Sequence, residues 1–325
     1  MGRHFYFADP GELKMGLTYE QQAIVEHQGD AIAVAVAGSG KTFTLIEYAK
    51  KRKNKRILYL AFNRSVKTEA ERKFAAAGCS HVIVTTPHAL AFKELDVKNQ
   101  FTLAESNLKT FDAIGRLQVS DPLIGRHAVN LFNMYCSSWK RQVSEIDYLS
   151  TVRDPESRHW VENHIELVQQ KANQLFCQMA SRDDKYPVTH DAYFKLFQLS
   201  NPTLPFDIIL LDEGQDSSGA LLDIFLRQRG TKLIVGDPHQ QLYAFRGAVN
   251  SLDQVDFPRF HLTTSFRFHQ GIAAKGELAI SLKALIGKED PDFCIVGKGE
   301  REGRDNSIGI IARSNMALLD RKSVV

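Results

Sequence analysis

The stretch Val34-Ala-Val-Ala-Gly-Ser-Gly-Lys-Thr42 decides how the rest of this 325-residue chain is read. It continues an apolar run, Ala31–Val36, and opens onto a helix-compatible segment, Phe43–Ala49. Strand, glycine-rich turn and helix together form the context that a phosphate cradle requires. Gly38 and Gly40 let backbone amides approach phosphate oxygens, Ala37 and Ser39 complete the loop, and the helix N-terminus adds a favourable dipole. Lys41 is placed to reach the β- and γ-phosphates, and the Thr42 hydroxyl to ligate Mg2+. Ala35 departs from the full G-x-x-x-x-G-K-[S/T] pattern, which has glycine there. The stretch predicts binding of a nucleoside triphosphate.

Composition narrows the class without naming it. Hydrophobic residues make up 43% and charged residues 24%, the balance of a soluble globular protein. Lys plus Arg is 41 and Asp plus Glu is 38, a net charge of +3 that permits nucleic-acid binding only along a local stripe. The four cysteines, Cys79, Cys136, Cys177 and Cys294, form no CxxC pair, which indicates neither a disulfide framework nor a zinc site. No apolar run reaches the length of about 18 residues that a membrane helix needs. The expected protein is intracellular and soluble, with no membrane partner.

Short runs rich in Ile, Val and Leu recur at Ala31–Val36, Ile57–Phe62, His81–Thr85, Asp207–Leu211 and Lys232–Val235. Separated by helical patterns, they predict strands of a parallel sheet buried on both faces. From about Phe92 to about Pro205 the chain changes character, with few β-runs and helix-compatible stretches such as Arg158–Met179. The expected organisation is an α/β P-loop domain over 1–92 and 205–260, a helical insertion over 93–204, and the start of a second domain over 261–325. The basic cluster Lys50–Arg56 reads first as a solvated helix end suited to the negative pole of the dipole, and second as a nucleic-acid contact.

Two further blocks carry chemistry. In Ile208-Ile-Leu-Leu-Asp-Glu-Gly-Gln-Asp216 a buried strand ends in carboxylates, where an α/β sheet presents its ligands. Asp212 is the candidate Mg2+ ligand, and Glu213 the group that orients and deprotonates the attacking water. In Ile234–Ala248 a second strand ends in a polar turn whose Gln240 suits γ-phosphate sensing. Behind it Tyr243, Phe245 and Arg246 interleave aromatics with a cation, a combination suited to stacking on unpaired bases; core packing is the competing reading for the two rings.

The order and spacing of these blocks resemble the UvrD/Rep-like superfamily 1A DNA helicases, with features of the F-box DNA helicase branch. That resemblance implies a RecA-like fold and an ATP-driven motor, with Mg2+, moving 3′ to 5′ on single-stranded DNA. Leu17–Val25 is similar to the family's Q motif, with Gln21 at the adenine-reading glutamine, and Val36 stands where many members have Gly. Ala61–Ser65 resembles motif Ia and Thr85–Ala91 motif Ib, which places Phe62, Thr86 and His88 against DNA. Thr189–Lys195 resembles a stretch of the F-box branch that lines the DNA path. Asp212–Asp216 resembles the DEAQD box, with Gly214 replacing Ala and Gln215 coupling nucleotide state to the rest of the motor. Gly236–Ala248 matches motif III. Leu262–Arg267 resembles motif IV, in which Phe266 would stack on adenine and Arg267 reach the γ-phosphate. Ile310–Asn315 resembles motif IVa, with Arg313 and Asn315 at its polar positions.

The family continues with motifs V and VI and a second arginine finger, none of which precedes Val325. The expectation is therefore ATP binding, slow hydrolysis, and no unwinding by these 325 residues without a second polypeptide supplying the missing half. A module that binds ATP or single-stranded DNA without turnover is the alternative. If Phe245 stacks on bases, Phe245→Ala weakens single-stranded DNA binding by roughly 1–3 kcal/mol and leaves melting nearly unchanged. A core ring would instead cost about 3–5 kcal/mol of stability. DNA titration alongside thermal melting separates the two.

Overall fold

The structure is a computed structural model that describes residues 16–241, 250–285 and 294–299. The chain divides into two units, Met1–Thr263 and Thr264–Val325. The described elements of the first unit are, in chain order, α1 (Tyr19–Glu26), β1 (Ala31–Ala35), α2 (Lys41–Lys50), β2 (Ile57–Leu60), α3 (Arg64–Ala76), β3 (Val82–Thr85), α4 (Pro87–Glu94), α5 (Val97–Gln100), α6 (Thr110–Leu117), α7 (Pro122–Ser137), α8 (Pro155–Ala180), α9 (His190–Leu199), β4 (Ile208–Leu211), α10 (Gly219–Leu226), β5 (Thr231–Gly236), α11 (Ser251–Gln254) and β6 (Arg259–Leu262). The second unit contains β7 (Thr264–Ser265), α12 (Gln270–Leu285) and β8 (Val296–Gly297), with β7 and β8 paired in parallel.

The first unit is built on a six-stranded parallel sheet in the order β3-β2-β4-β5-β1-β6. The five expected strands are all present. The sixth, β6, puts residues 261 and 262, expected to open the second domain, on the edge of the first sheet. Its Arg-Phe-His-Leu sequence is half polar because an edge strand needs only partial burial.

The sheet's alternation sorts its side chains between two cores. On one face Ala33, Ile57, Tyr59, Leu210, Leu233 and Val235 pack with Leu45, Tyr48 and Phe74 of α2 and α3. On the other, Ile32, Leu58, Leu60, Ile209, Leu211 and Ile234 join one continuous cluster with Phe132, Val168, Leu175 and Phe197 of the helices between β3 and β4. Two of those helices, α8 and α9, start at side-chain caps. Asp154 caps α8 by accepting from the Ser157 amide at 2.8 Å, with Pro155 at its first position, and Thr189 caps α9 through the Ala192 amide.

The basic cluster after α2 is tied into the fold. Arg52 lies over the Tyr48 ring at 3.5 Å and donates from Nη1 to the Val25 carbonyl at 2.9 Å, joining α2 to α1. Lys50 pairs with Glu47, and Lys51 with Glu26. Cys79, Cys136 and Cys177 are free thiols, and among the described residues no helix is long and apolar enough to cross a membrane.

One fully buried cation staples the helical region. Lys195 of α9 donates to the carbonyls of Ser138 and Lys140 and sits 4.3 Å from the centre of the Tyr135 ring. Burial pushes its ammonium down from 10.5 to about 8. The unfolded chain keeps that proton up to the ordinary lysine range while the folded chain releases it near 8. The unfolded state therefore binds more protons in between, and stability from this group rises with pH over that window. Denaturant titrations of wild type and Lys195→Met between pH 8 and 10 check this: the wild-type advantage should grow with pH.

Candidate nucleotide site and adjoining cleft

Three neighbouring strands deliver the site. β4, β5 and β1 lie side by side, so the segments leaving their carboxyl ends, Asp212–Asp216, Asp237–Gln240 and Val36–Thr42, converge at one edge. The turn after β1 needs left-handed backbone at Gly38 (φ +77°) and Gly40 (φ +80°), a conformation glycine adopts without steric cost. Gly40 is also hemmed in, since a Cβ there would lie 2.9 Å from Gln21 Nε2. Gln21 is buried with both polar ends engaged. Its Oε1 accepts from the Thr18 amide at 3.0 Å, closing a capping box on α1, and its Nε2 donates to the Ser39 carbonyl at 3.1 Å. In this structure the expected adenine reader braces the phosphate loop.

Lys41 Nζ donates to Glu213 Oε2 at 2.8 Å, an ion pair spanning the loop and the end of β4. Glu213 itself is in left-handed backbone (φ +51°), a strained placement of the kind that concentrates at functional sites. The same Oε2 accepts from Gln215 Nε2 at 2.8 Å, and Gln215 Oε1 accepts from the Asp237 amide at 3.0 Å. Asp237 in turn accepts from the exposed Gln240. Lys41, Glu213, Gln215, Asp237 and Gln240 thus form one unbroken polar chain along the sheet edge.

Asp212 is buried beside this chain. Its Oδ1 accepts from the Glu213 amide at 3.0 Å, and its Oδ2 from the hydroxyl of Tyr59 on β2. Burial, and then the charge of Glu213, push its carboxyl above the usual range. The Tyr59 phenol, which also interacts with the Thr42 hydroxyl, is pushed well above its own, by burial and then by Asp212.

These residues fit a magnesium nucleotide. Among the described residues the buried Ser39 Oγ has no hydrogen-bond partner inside the loop, an unmet group that a phosphate oxygen would satisfy. No cluster of three or more His, Cys, Asp and Glu side chains converges among the described residues. One carboxylate with one hydroxyl is instead the sparse donor set Mg2+ uses when phosphates and water complete its shell.

The remaining expected residues fall elsewhere. Thr86 caps α4, its hydroxyl accepting from the Ala89 amide at 3.2 Å, and Phe62 is half-buried just after β2. His88 packs at a tilt against Phe194, 4.7 Å between ring centres, and lies 3.6 Å from Asp191. It lines a cleft of ≈ 960 Å³ shared with Arg126, Asn130, Arg153 and His190 of the helical region. Phe266 and Arg267 belong to the second unit and are exposed just after β7. Tyr243, Phe245, Arg246, Arg313 and Asn315 lie outside the described residues. Sequence reading missed Tyr59 and Asp237. The signal for Tyr59 was a hydroxyl in an otherwise apolar strand, a group that must find a partner when buried.

Gly214, which departs from the DEAQD box, has a physical reason. A Cβ at this position would lie 2.4 Å from Ile234 Cγ2 and 2.8 Å from Ser251 Oγ. Ser251 is itself fixed, donating to the Gly214 carbonyl at 2.6 Å. Gly214→Ala, although it restores the commoner box, should overpack this corner and cost about 1–3 kcal/mol. Thermal melting of the variant checks the sign.

Comparison with known proteins identifies the family. The UvrD/REP helicase N-terminal domain matches residues 17–254. The chain is 31% identical to F-box DNA helicase 1 of Gallus gallus over 97% of its own length and 32% of the relative's. It is 30% identical to F-box DNA helicase protein 1 of Schizosaccharomyces pombe, over 82% of this chain and 33% of that one. A match at 25% identity to the Gabija protein GajB of Bacillus cereus covers 78% of this chain and 47% of that protein. The chain thus spans about a third of the length of its F-box relatives, whose remaining length is part of the same polypeptide; the expectation of a separate second polypeptide finds no support there. From residue 17 to residue 254, this chain belongs to the UvrD/REP helicase N-terminal domain family.

Proposed function

We propose that the chain binds ATP and Mg2+ at the edge formed by β1, β4 and β5, hydrolyses ATP there, and grips single-stranded DNA as part of a 3′-to-5′ DNA helicase. The ion pair between Lys41 and Glu213, reaching from the phosphate loop to the acidic box, is the observation that carries this reading. It holds the loop's mobile cation and the candidate base at one point, where an incoming phosphate competes for Lys41.

On this reading the backbone amides of Gly38–Lys41 and the Ser39 hydroxyl hold the phosphates, and Lys41 leaves Glu213 for a phosphate oxygen. Thr42 and Asp212 would hold Mg2+, which supplies neutralisation of charge on the β- and γ-oxygens. Glu213, released by Lys41 but still held by Gln215, orients a water and accepts its proton. Gln215 links that carboxylate to the Asp237 turn, so Gln240 is positioned to report the γ-phosphate. Gln21, held between the Thr18 amide and the Ser39 carbonyl, would keep the loop in shape for the nucleotide. Single-stranded DNA is assigned to the cleft beside His88, where Arg126 and Arg153 suit phosphates, and to Phe62, Thr86, Tyr243, Phe245 and Arg246.

The ion pair makes the test directional. Lys41→Ala should abolish hydrolysis and weaken MgATP binding. Glu213→Gln should abolish turnover yet bind ATP at least as tightly as wild type, because Lys41 no longer leaves a charged partner; the gain is up to about 1 kcal/mol. Calorimetric ATP titration and phosphate release on the two variants decide it. Wild-type turnover in Glu213→Gln would move the base elsewhere.

A further inference from the structure

Tyr59 is the one side chain on β2 whose polar atom reaches the candidate metal site. The strand is buried throughout, Ile57-Leu-Tyr-Leu60, and pairs in parallel with β4 so that Tyr59 lies opposite Leu210, two residues before Asp212. Its ring faces the α2–α3 core and packs edge-on against Phe74 at 5.3 Å between centres. Its hydroxyl donates to Asp212 Oδ2 and interacts with the Thr42 hydroxyl.

Thr42 and Asp212 come from segments 170 positions apart; the Tyr59 hydroxyl is hydrogen-bonded to Asp212 and interacts more weakly with Thr42. Asp212 is buried, so each of its oxygens needs a donor to remain a well-oriented anion. The Glu213 amide serves one oxygen and the Tyr59 hydroxyl the other. The amide is fixed by the backbone, but it cannot set rotation of the carboxylate by itself. The phenol supplies a second point, anchored through a ring that the core holds.

We infer that Tyr59 is a positioning residue for divalent-metal binding: its hydroxyl fixes the Asp212 carboxylate relative to the Thr42 hydroxyl, so that the two form a ready-made half-shell for the metal. This rests on the assignment of Thr42 and Asp212 as the Mg2+ site. Tyr59 touches neither the metal nor the nucleotide and acts through Asp212. Partners of metal ligands act in this way, and losing one lowers metal affinity about 10–100-fold.

The test uses the full 325-residue chain and a fluorescent, non-hydrolysable ATP analogue, whose affinity is measured with saturating Mg2+ and in EDTA. By linkage, the ratio of the two affinities is the metal affinity of the bound analogue relative to the free one. Tyr59→Phe fills the same space without the hydroxyl, so its melting should stay near wild type. Its affinity ratio should fall about 10-fold or more while affinity in EDTA is unchanged. In an Asp212→Asn background the same change should have no further effect, because the partner is already gone. Phe74→Leu loosens the same packing but spares the hydroxyl, and should leave the ratio alone; 4-aminophenylalanine at position 59 keeps a donor and should restore it. A wild-type ratio in Tyr59→Phe, with the ratio lost in Asp212→Asn, overturns the role of Tyr59 and leaves the metal site standing. A wild-type ratio in Asp212→Asn overturns the metal site and the role of Tyr59 together.

Discussion

Burial of the central strands β1, β2, β4 and β5 on both faces is the constraint from which the site follows. A strand covered on both sides has little room for unpaired charge along its length, so polar chemistry is displaced towards the ends. β4 shows this directly: Ile208–Leu211 is wholly apolar and buried, and the very next residues are Asp212 and Glu213. Because β4, β5 and β1 are neighbours, spaced at about 4.7–4.9 Å, their carboxyl ends bring together segments far apart in sequence. The Lys41–Glu213 pair joins positions 172 residues apart without a loop having to find its partner by chance.

Glu213 shows what this arrangement costs. Left-handed backbone at a non-glycine residue carries a penalty on the order of 1–3 kcal/mol, and three contacts hold it there: Lys41, Gln215 and the buried neighbour Asp212. Space around the turn is limited by a glycine in the turn itself and another at the end of β5. Gly214 lies against Ile234 and Ser251, and Gly236 leaves room for Gln215, whose Oε1 would lie 2.4 Å from a Cβ there. The turn is therefore specified by what is missing as much as by what is present: no larger residue fits at either position without moving the glutamine or its support.

How much of this was legible in the sequence differs by element. The phosphate loop and the strands β1 to β5 were readable because each is a short apolar run ending in turn chemistry, and such runs carry their own signal. β6 was not, since Arg259-Phe-His-Leu262 at the sheet edge alternates between solvent and core. The helical character of the region between β3 and β4 was readable, but not that its core merges with one face of the sheet, because periodicity says which residues are buried and not against what. Local roles were also hidden by long-range ones. Thr86 reads as a DNA contact from its motif and serves as a helix cap in the structure; Gln21 reads as an adenine contact and braces Ser39. Gly214 was visible as a departure, yet its cause lies in Ile234 and Ser251, 20 and 37 positions downstream.

The attachment of the helical region bears on how nucleotide and DNA could communicate. Lys195 and Gln198 of α9 hold the carbonyls of Ser138, Trp139 and Lys140, and Gln198 also donates to Asp223 of α10 at 2.6 Å. α10 is the helix that follows the acidic box. Gly219 in its first turn sits against the Trp139 ring, closely enough that a Cβ would lie 3.0 Å from it. The wall of the proposed DNA cleft and the proposed nucleotide edge therefore belong to one packed body with a continuous apolar core. Packed cores have discrete arrangements and do not bend by small degrees. On the proposed function, a signal from the γ-phosphate would thus be carried more economically by exchange within the polar chain Lys41–Glu213–Gln215–Asp237 than by tilting the helices against the sheet. On the same proposal, Glu213 would change partner when Lys41 departs, and Gln215, bonded to both Glu213 and the Asp237 amide, would hand the change to the turn after β5.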